Sequence, residues 1–216
     1  RLSKKFGENK LESYSNAERV FDISDDYYFG FGLMRSEVDM GFSSLTGTSG
    51  LDEKDIGQRI IAGINFSEFL DIEFAFNKFG EAVFTCDNGD GLVTDGKYQK
   101  GAFSSGTELT CNSNNTSVNV HSNSVSAAIK PILELAINDQ DIINLHGTIG
   151  FTRWDQSETT LVQNSSTTAF DYSGYDPVYG LGATIENDSL NISLEYLKYD
   201  MYYDAQTIGA SLSYKF

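Results

Sequence analysis

The end of the chain alternates strictly between apolar and polar positions. Ile208, Ala210, Leu212, Tyr214 and Phe216 have apolar side chains, and every residue between them is polar or glycine. A period of two predicts a β-strand whose two faces lie in different surroundings. A final aromatic residue at an apolar position favours a strand that turns one face to lipid, although an edge strand of a soluble sandwich shows the same period.

Seven earlier segments repeat this alternation, so the pattern predicts eight strands. Each segment is close to the roughly 9–11 residues with which a tilted strand crosses a bilayer. In chain order the segments are 27–34, 59–66, 70–77, 125–135, 143–151, 179–186 and 190–196. Nowhere does the sequence approach the ~18 continuous apolar residues of a membrane-spanning helix, which excludes a helical membrane protein.

The links between these segments alternate in length. The links at 67–69, 138–141 and 187–189 are short, whereas those between segments one and two, three and four, and five and six are long and rich in Ser, Thr, Asn, Gly and Asp. Short turns at one end and long loops at the other are typical of outer-membrane barrels. Since a sheet in lipid must pair every backbone group, we expect it to close on itself. Pro131 lacks a backbone donor and predicts a local irregularity in the fourth strand.

The predicted fold class is therefore all-β, an eight-stranded antiparallel up-and-down transmembrane β-barrel with short periplasmic turns and long extracellular loops. The barrel is expected to cover residues 27–216, with both of its termini on the turn side. Residues 1–26 show no sustained period, and we expect them to form a polar periplasmic lead-in.

The charge balance restricts the partners of the chain. Its 216 residues include 15 Lys and Arg against 31 Asp and Glu, which gives a net charge of -16. Binding to the phosphates of nucleic acid requires a basic patch. The acidic net charge of the chain does not supply one, which excludes nucleic acid as a partner. The first ten residues contain basic side chains without an apolar core and are no signal peptide, so for an exported protein we expect the signal to have been removed.

The chain resembles the eight-stranded transmembrane domain of outer membrane protein A and its relatives. The resemblance extends over residues 27–216 and depends on the order and spacing of short motifs. These motifs are Ile72-Glu-Phe-Ala-Phe76, Ala128-Ile-Lys-Pro131, Gly147-Thr-Ile-Gly-Phe-Thr-Arg-Trp-Asp155, Pro177-Val-Tyr179, Leu194-Glu-Tyr196 and Leu212-Ser-Tyr-Lys-Phe216. The resemblance implies a place in the outer membrane of a Gram-negative cell. It also implies that Tyr214 and Phe216 belong to a signal that the barrel-assembly machinery reads.

Several charged side chains are predicted to point into the lumen. An eight-stranded barrel has an interior that side chains fill, and buried charges there must be paired. By parity the inward-facing set is Glu73, Lys130, Glu134, His146, Glu195 and Lys215. The family resemblance implies that Glu73, Lys130, Glu195 and Lys215 belong to a cluster of ion pairs that can re-pair and act as a gate. His146 stands where the family usually has arginine, so the pairing is expected to be weaker or pH-dependent. A static network that plugs the barrel is the alternative.

The two histidines do not predict an active site. A hydrolase needs its nucleophile and its base on one face, but Ser122 and Ser124 have the opposite parity to His121. His146 points into the lumen, away from lipid. We therefore expect no enzyme, no cofactor and no dedicated metal site, and a lipid-modifying outer-membrane enzyme is the least favoured function.

The only two cysteines, Cys86 and Cys111, lie in the predicted loop between strands three and four. In an exported protein such a pair predicts a disulfide, and free thiols or a metal pair are the alternatives. The segment 87–96 between them offers oxygen ligands but lacks the spacing of a calcium-binding EF-hand loop, which favours a polar loop.

The predicted loops are strongly acidic. Their acidic residues are Glu37, Asp39, Asp52, Glu53, Asp55, Asp87, Asp90, Asp95, Glu108, Asp155, Glu158, Asp171, Asp176, Asp200 and Asp204. Lipopolysaccharide phosphates are anionic as well and would repel these loops. We therefore expect weak Ca²⁺ or Mg²⁺ bridges between the loop carboxylates and the phosphates. The alternative is that the acidic residues only keep the loops hydrated. The expected function is that of a monomeric structural or surface-interaction protein, surrounded by outer-membrane lipid and lipopolysaccharide. A narrow gated, porin-like pore for ions or small solutes is the alternative function.

Overall fold

The computed structural model describes residues 27–39, 42–45, 50–86, 91–94, 108–110, 116–136, 142–162, 165–187 and 189–216. All regular structure in these residues is β-strand. The strands are β1 (Tyr27–Val38), β2 (Phe42–Leu45), β3 (Gly50–Asp52), β4 (Lys54–Ser67), β5 (Leu70–Lys78), β6 (Ala82–Cys86), β7 (Gly91–Thr94), β8 (Glu108–Thr110), β9 (Thr116–Ala136), β10 (Ile142–Val162), β11 (Ser165–Asn187), β12 (Leu190–Tyr199) and β13 (Ala205–Lys215). The described part of the chain contains no helix long and apolar enough to cross a membrane.

Eight of these strands form a closed antiparallel barrel. They follow the order β10-β11-β12-β13-β1-β4-β5-β9, and pairing between β9 and β10 closes the ring. A path through directly paired residues that leaves β10 at Arg153 passes through Phe31 of β1 and returns to β10 at Ile143, ten residues away. This offset is the stagger that tilts the strands of a closed barrel. The predicted fold class is confirmed.

The two faces of the barrel follow the predicted parity. Along β1 the side chains of Phe29, Phe31 and Leu33 are exposed on the outer surface, whereas Tyr28 and Met34 are buried inside. Large apolar side chains cover the outside of every barrel strand. A soluble protein would bury such residues, so this apolar belt is the surface that meets lipid.

The barrel has two different ends. At one end, hereafter the turn end, β4 is joined to β5 by residues 68–69 and β11 to β12 by residues 188–189. Phe216 also lies at the turn end, where its backbone N–H donates to the carbonyl of Tyr27 at 2.9 Å. At the opposite end, the loop end, lie the described parts of the segments 39–53 and 79–115, the last pair of β10 and β11, Val162 opposite Ser165, and the link 200–204.

The predicted long loop between the fifth and sixth barrel strands is wrong. β10 has 21 residues and β11 has 23, and they stay paired from Ile142 opposite Glu186 to Val162 opposite Ser165. Thr and aromatic residues are common in strands, and Ser also occurs there, so a prediction of a loop from the polar composition of this segment was wrong. The result is a β-hairpin that continues well beyond the length needed to cross a bilayer.

The sheet grows further at the loop end. The first residues of β9 pair with β6, and β6 pairs with β3, so β11, β10, β9, β6 and β3 form a continuous extension of the barrel wall. We call this five-stranded part the loop-end sheet. A separate small sheet consists of β2, β7 and β8.

The irregularity expected at Pro131 is present. The ladder between β9 and β10 pairs Ile132 with His146 and Ile129 with Ile149 but has no pairs in between. On the other side of β9, the Ile132 N–H donates to the carbonyl of Phe69 at 2.9 Å, which continues the register of β5 and β9 into the turn. The interruption is local, because the register is the same on both sides of it.

Candidate functional site in the barrel lumen

Four strands bring charged side chains together in the half of the lumen nearer the turn end. Arg59 of β4 contacts Glu73 of β5 through Nη2 and Glu195 of β12 through Nη1. Lys130 of β9 lies between the same two carboxylates, with its Nζ 2.6 Å from Glu73 Oε2 and 2.7 Å from Glu195 Oε1. All four side chains are almost completely buried. Two cations and two anions balance, as burial requires.

Two polar neighbours complete this arrangement. The Tyr28 hydroxyl donates to Glu73 Oε2 at 3.1 Å. His146 Nε2 lies 2.9 Å from Glu195 Oε1, and because a carboxylate only accepts, Nε2 carries the proton. We call these six residues the ion cluster: Tyr28, Arg59, Glu73, Lys130, His146 and Glu195.

Glycines on neighbouring strands make room for the ion cluster. Gly63 is paired with both Tyr28 and Glu73, and a Cβ there would lie 2.1 Å from the ring carbon Cζ of Tyr28. Gly182 is paired with both His146 and Glu195, and a Cβ there would lie 2.4 Å from His146 Nε2. The missing side chains let large polar groups lie across the narrow lumen.

The ion cluster differs from the predicted set of charges. Glu134 is exposed at the turn end, because β9 continues past the mouth of the barrel there. Lys215 lies near the same mouth, and its Nζ is 3.6 Å from Glu186 Oε2 rather than near Glu73. The cation that the prediction missed is Arg59. Its parity on β4 would have placed it inside, since it alternates with the outward-facing Ile60.

The lumen near the loop end has the opposite character. Leu197, Tyr199 and Met201 are 1% exposed or less and pack against Phe79, Met34 and other apolar side chains. The ring centroids of Phe79 and Tyr199 are 5.0 Å apart, with their planes at 84°. The full set, hereafter the apolar plug, is Met34, Val38, Phe79, Ala82, Phe84, Val120, Trp154, Val178, Leu197, Tyr199, Met201 and Ala205.

Polar contacts tie the link 200–204 over the apolar plug. Gln156 of β10 donates from Nε2 to the carbonyl of Tyr203 at 3.0 Å and accepts from the Tyr203 N–H at 2.9 Å. This side-chain amide thus pairs with the link as a neighbouring strand would. The Tyr203 hydroxyl donates to Glu158 at 2.8 Å, and the ring of Tyr202 stacks on Tyr172 with centroids 4.2 Å apart.

These tyrosines are partly buried and lie beyond the apolar belt. Burial, together with the Glu158 carboxylate, raises the pKa of Tyr172 to about 12. The same two causes raise the pKa of Tyr203. A tyrosine hydroxyl is protonated at neutral pH even without such a shift, and that of Tyr203 donates to Glu158. Tyr199 lies within the apolar plug, and Tyr202 and Tyr203 pack against it at the mouth of the barrel.

Two predicted loop acids have internal roles. Glu158 accepts from Tyr203, and Asp176 accepts from Trp154 Nε1 at 2.8 Å. Both lie on the extended hairpin of β10 and β11 rather than in a loop. Within the described ranges, no three His, Cys, Asp or Glu side chains are grouped as metal ligands.

Other predicted positions fall partly outside the description. Cys111, Asp87, Asp90 and Asp95 lie outside the described residues, as does the lead-in 1–26. The predicted disulfide therefore stays a prediction. Tyr214 and Phe216 are exposed on the outer surface at the turn end, with ring centroids 5.3 Å apart.

Comparison with known proteins supports the fold. No known family model and no curated protein matches the chain. Among solved structures, the attachment invasion locus protein Ail of Yersinia pestis has a TM-score of 0.51 at 15% identity, covering 89% of this chain and 99% of Ail. The chain has the eight-stranded outer-membrane barrel fold of the outer membrane protein A type.

Further solved structures are similar to the chain. The same Yersinia protein in complex with the heparin analogue sucrose octasulfate has a TM-score of 0.50 at 13% identity, covering 88% of this chain and 98% of that one. The outer membrane protein OprG of Pseudomonas aeruginosa gives 0.49 at 8% identity, covering 89% and 96%.

Proposed function

We propose that this chain is an outer-membrane barrel with a closed lumen and acts as a structural and surface-interaction protein. Its turn end faces the periplasm and its loop end faces outward. The proposal is carried by a filled lumen in a barrel whose sheet continues beyond the length that crosses a bilayer.

The lumen is obstructed by two successive layers. Arg59 and Lys130 bridge Glu73 and Glu195 across the barrel, so an ion would have to separate buried pairs to pass. Above them the apolar plug fills the lumen with Leu197, Tyr199 and their neighbours. Ions are strongly disfavoured in such an apolar layer, because it offers no hydration. This double obstruction favours a structural role over a pore.

The loop-end sheet supplies a surface for contacts outside the cell. β9, β10 and β11 have 21, 21 and 23 residues, about twice the length that crosses a bilayer. Backbone pairing continues along the whole hairpin of β10 and β11. An ordered sheet presents side chains at lower entropic cost than a free loop.

Single-channel recording tests the closed lumen. The refolded barrel in a planar bilayer should show no sustained conductance, because both layers exclude a water file. The double variant Leu197→Ala and Tyr199→Ala empties part of the apolar plug, and it should raise the frequency of brief openings. Steady conductance of the unaltered protein would instead support the pore.

Epitope insertion tests the orientation. An epitope inserted between Val162 and Ser165 should be stained by antibody on intact cells, since these two residues end the ladder of β10 and β11 at the loop end. The matched control is the same epitope in the link 188–189 at the turn end, which should be stained only after the outer membrane is permeabilised. The reverse pattern would contradict the proposed orientation.

A further inference from the structure

The positive charges of the barrel have an uneven distribution. The described residues include eight Lys or Arg side chains, of which Arg59, Lys130 and Lys215 lie on the inward-facing side of the wall. The other five lie on outward-facing positions at the loop end. They are Arg35, Lys54, Lys78, Arg153 and Lys198. At the turn end, no described outward-facing residue is a cation.

Each of these five cations marks the end of the apolar belt on its strand. On β1 the outward run Phe29, Phe31 and Leu33 is followed by Arg35, and on β5 the run ends at Lys78 after Phe76. A cation at this height lies where the headgroups of the surrounding leaflet begin. In a chain of net charge -16, this placement is a local excess of positive charge.

Two of the cations border a cleft on the outer wall. The cleft is formed by β1, β4, β12 and β13 and is lined by Arg35, Glu37, Lys54, Tyr196, Gln206, Thr207 and Ile208. The register explains its composition. Gln206 is paired with Glu37, which is paired with Lys54, and the row below pairs Ile208 with Arg35. A polar row therefore lies above a row in which Arg35 stands between Ile208 and Ile56, and the next row pairs Leu33 with Ala210.

The polar groups of the cleft retain unused hydrogen-bonding capacity. Lys54 Nζ is 3.4 Å from Glu37 Oε2, and both side chains are more than 40% exposed, so the pair contributes little stability. Arg35 is exposed, and its directly paired neighbours on both sides, Ile208 and Ile56, are apolar. The Gln206 Oε1 accepts from the Tyr196 hydroxyl at 2.7 Å, which leaves the amide hydrogens of Gln206 as donors.

The other cations at this height are arranged differently. The guanidinium of Arg153 lies 5.8 Å from the ring centroid of Tyr175, and its Nη1 is 3.5 Å from the Tyr175 hydroxyl. Arg153 is thus partly satisfied by an aromatic neighbour. Lys78 is on β5, apart from the cleft. The pair Lys78 and Arg153 therefore provides a control of equal charge at the same height.

We infer that the cleft binds the phosphate group of a lipid in the surrounding leaflet. Arg35 and Lys54 contact the phosphate oxygens and Gln206 donates from its amide, because guanidinium and ammonium groups form charge-assisted bonds to phosphate. The acyl chains lie over Ile208 and, one row further toward the turn end, over Leu33, both of which are more than half exposed. The inference rests on the proposed membrane placement of the barrel, which gives the apolar belt its lipid.

Native mass spectrometry of the refolded barrel tests the cleft. The protein in zwitterionic micelles is titrated with dioleoyl phosphatidic acid, whose headgroup is a phosphate monoester, or with dioleoyl phosphatidylcholine. The double variant Arg35→Gln and Lys54→Gln should bind phosphatidic acid roughly tenfold more weakly, which corresponds to about 1.4 kcal/mol. The control double variant Lys78→Gln and Arg153→Gln should change binding less than about twofold.

Two further measurements test which groups of the protein and of the lipid are responsible for the binding. Glu37→Gln removes the carboxylate that competes for Lys54, so it should strengthen phosphatidic acid binding. Sodium phosphate at the lipid's concentration should not displace the lipid, because it lacks the acyl contacts.

If both double variants weakened the binding of phosphatidic acid equally, the cleft would not be the binding site, and a diffuse ring of positive charge would explain the binding. Displacement by free phosphate, or equal binding of phosphatidylcholine, would overturn the lipid-phosphate assignment. The micelle assay does not depend on the orientation in a cell or on conductance, so its failure is distinct from failure of the proposed function.

Discussion

The two halves of the lumen fill the same barrel with opposite chemistry. β12 shows the change within one strand: its inward residues are Asn191, Ser193 and Glu195 toward the turn end, then Leu197 and Tyr199 toward the loop end. The polar half depends on complete pairing, because each buried charge is costly once its partner is lost. The apolar half depends on filled volume, because each buried methylene contributes through burial and packing. Inward and outward residues alternate in the same way in both halves. The interactions that stabilise the two halves are nevertheless different.

The largest expected effect is in the polar half. Glu195→Ala removes the carboxylate that Arg59, Lys130 and His146 share, which leaves buried cations with one anion. We expect a loss of roughly 3–5 kcal/mol in the free energy of unfolding. Urea unfolding from lipid vesicles, followed by the fluorescence of the single Trp154, measures it.

The matched control is Glu186→Ala, which removes only the partner of Lys215 at 3.6 Å. It should cost no more than about 1 kcal/mol. Equal losses for the two glutamate variants would mean that the ion cluster is no more important than a pair at the mouth.

Leu197→Ala tests the apolar half. Leu197 is 1% exposed within the plug, so truncation leaves a cavity and should cost about 3 kcal/mol. The control Leu194→Ala, on the lipid-facing side of the same strand, should cost less because lipid fills the space. Added salt should not change the loss for Leu197→Ala; a strong salt dependence would argue that the plug is not apolar in solution.

Gly63→Ala tests how tightly the polar half is packed. The added Cβ would meet the Tyr28 ring at 2.1 Å, so the ring must move away from Glu73. We expect a loss of about 2 kcal/mol from overpacking. Gly147→Ala is the control, since its nearest neighbour would be Pro131 Cγ at an ordinary 3.5 Å. If neither alanine variant changed the free energy of unfolding in urea, the ion cluster would be able to accommodate the added Cβ without loss of stability, contrary to the prediction.

The smallest expected effect is at the loop end, where like charges meet outside the belt. Partial burial and the nearby Asp200 raise the pKa of Asp204. A raised carboxyl pKa favours the protonated folded state, so this group's contribution to stability falls as pH rises above the ordinary aspartate value near ~3.9. Asp204→Asn should therefore stabilise the protein at pH 7 by less than about 1 kcal/mol, and the gain should fade toward pH ~4.

Urea unfolding at both pH values measures the Asp204→Asn effect. The gain should be smaller in an Asp200→Asn background, because the repulsion from Asp200 is then absent while the partial burial of Asp204 remains. A gain that is independent of both pH and Asp200 would contradict this explanation.

Local pattern was sufficient for the strands but not for what lies beyond them. Alternation from Tyr27 to Met34 predicted the faces of β1, and the two-residue link 68–69 follows from the short turn between segments. The extended hairpin was missed, because Ser, Thr and Tyr at 157–175 fit both loop and strand. Gln156 holding the backbone of Tyr203 is a contact between distant segments that no local pattern reveals.

The sequence by itself determined on which side of the sheet each strand residue lies, because side-chain parity is a local property of a strand. It did not determine which inward residues meet. Arg59 contacts Glu195 across 136 residues of sequence, whereas Lys215, which has the inward parity, is left at the mouth beside Glu186. Those partners depend on the height of each residue in the lumen, which the ten-residue stagger of the closed barrel fixes. Closure is a property of all eight strands together, so only the tertiary structure decided the ion cluster, the apolar plug and the outer cleft.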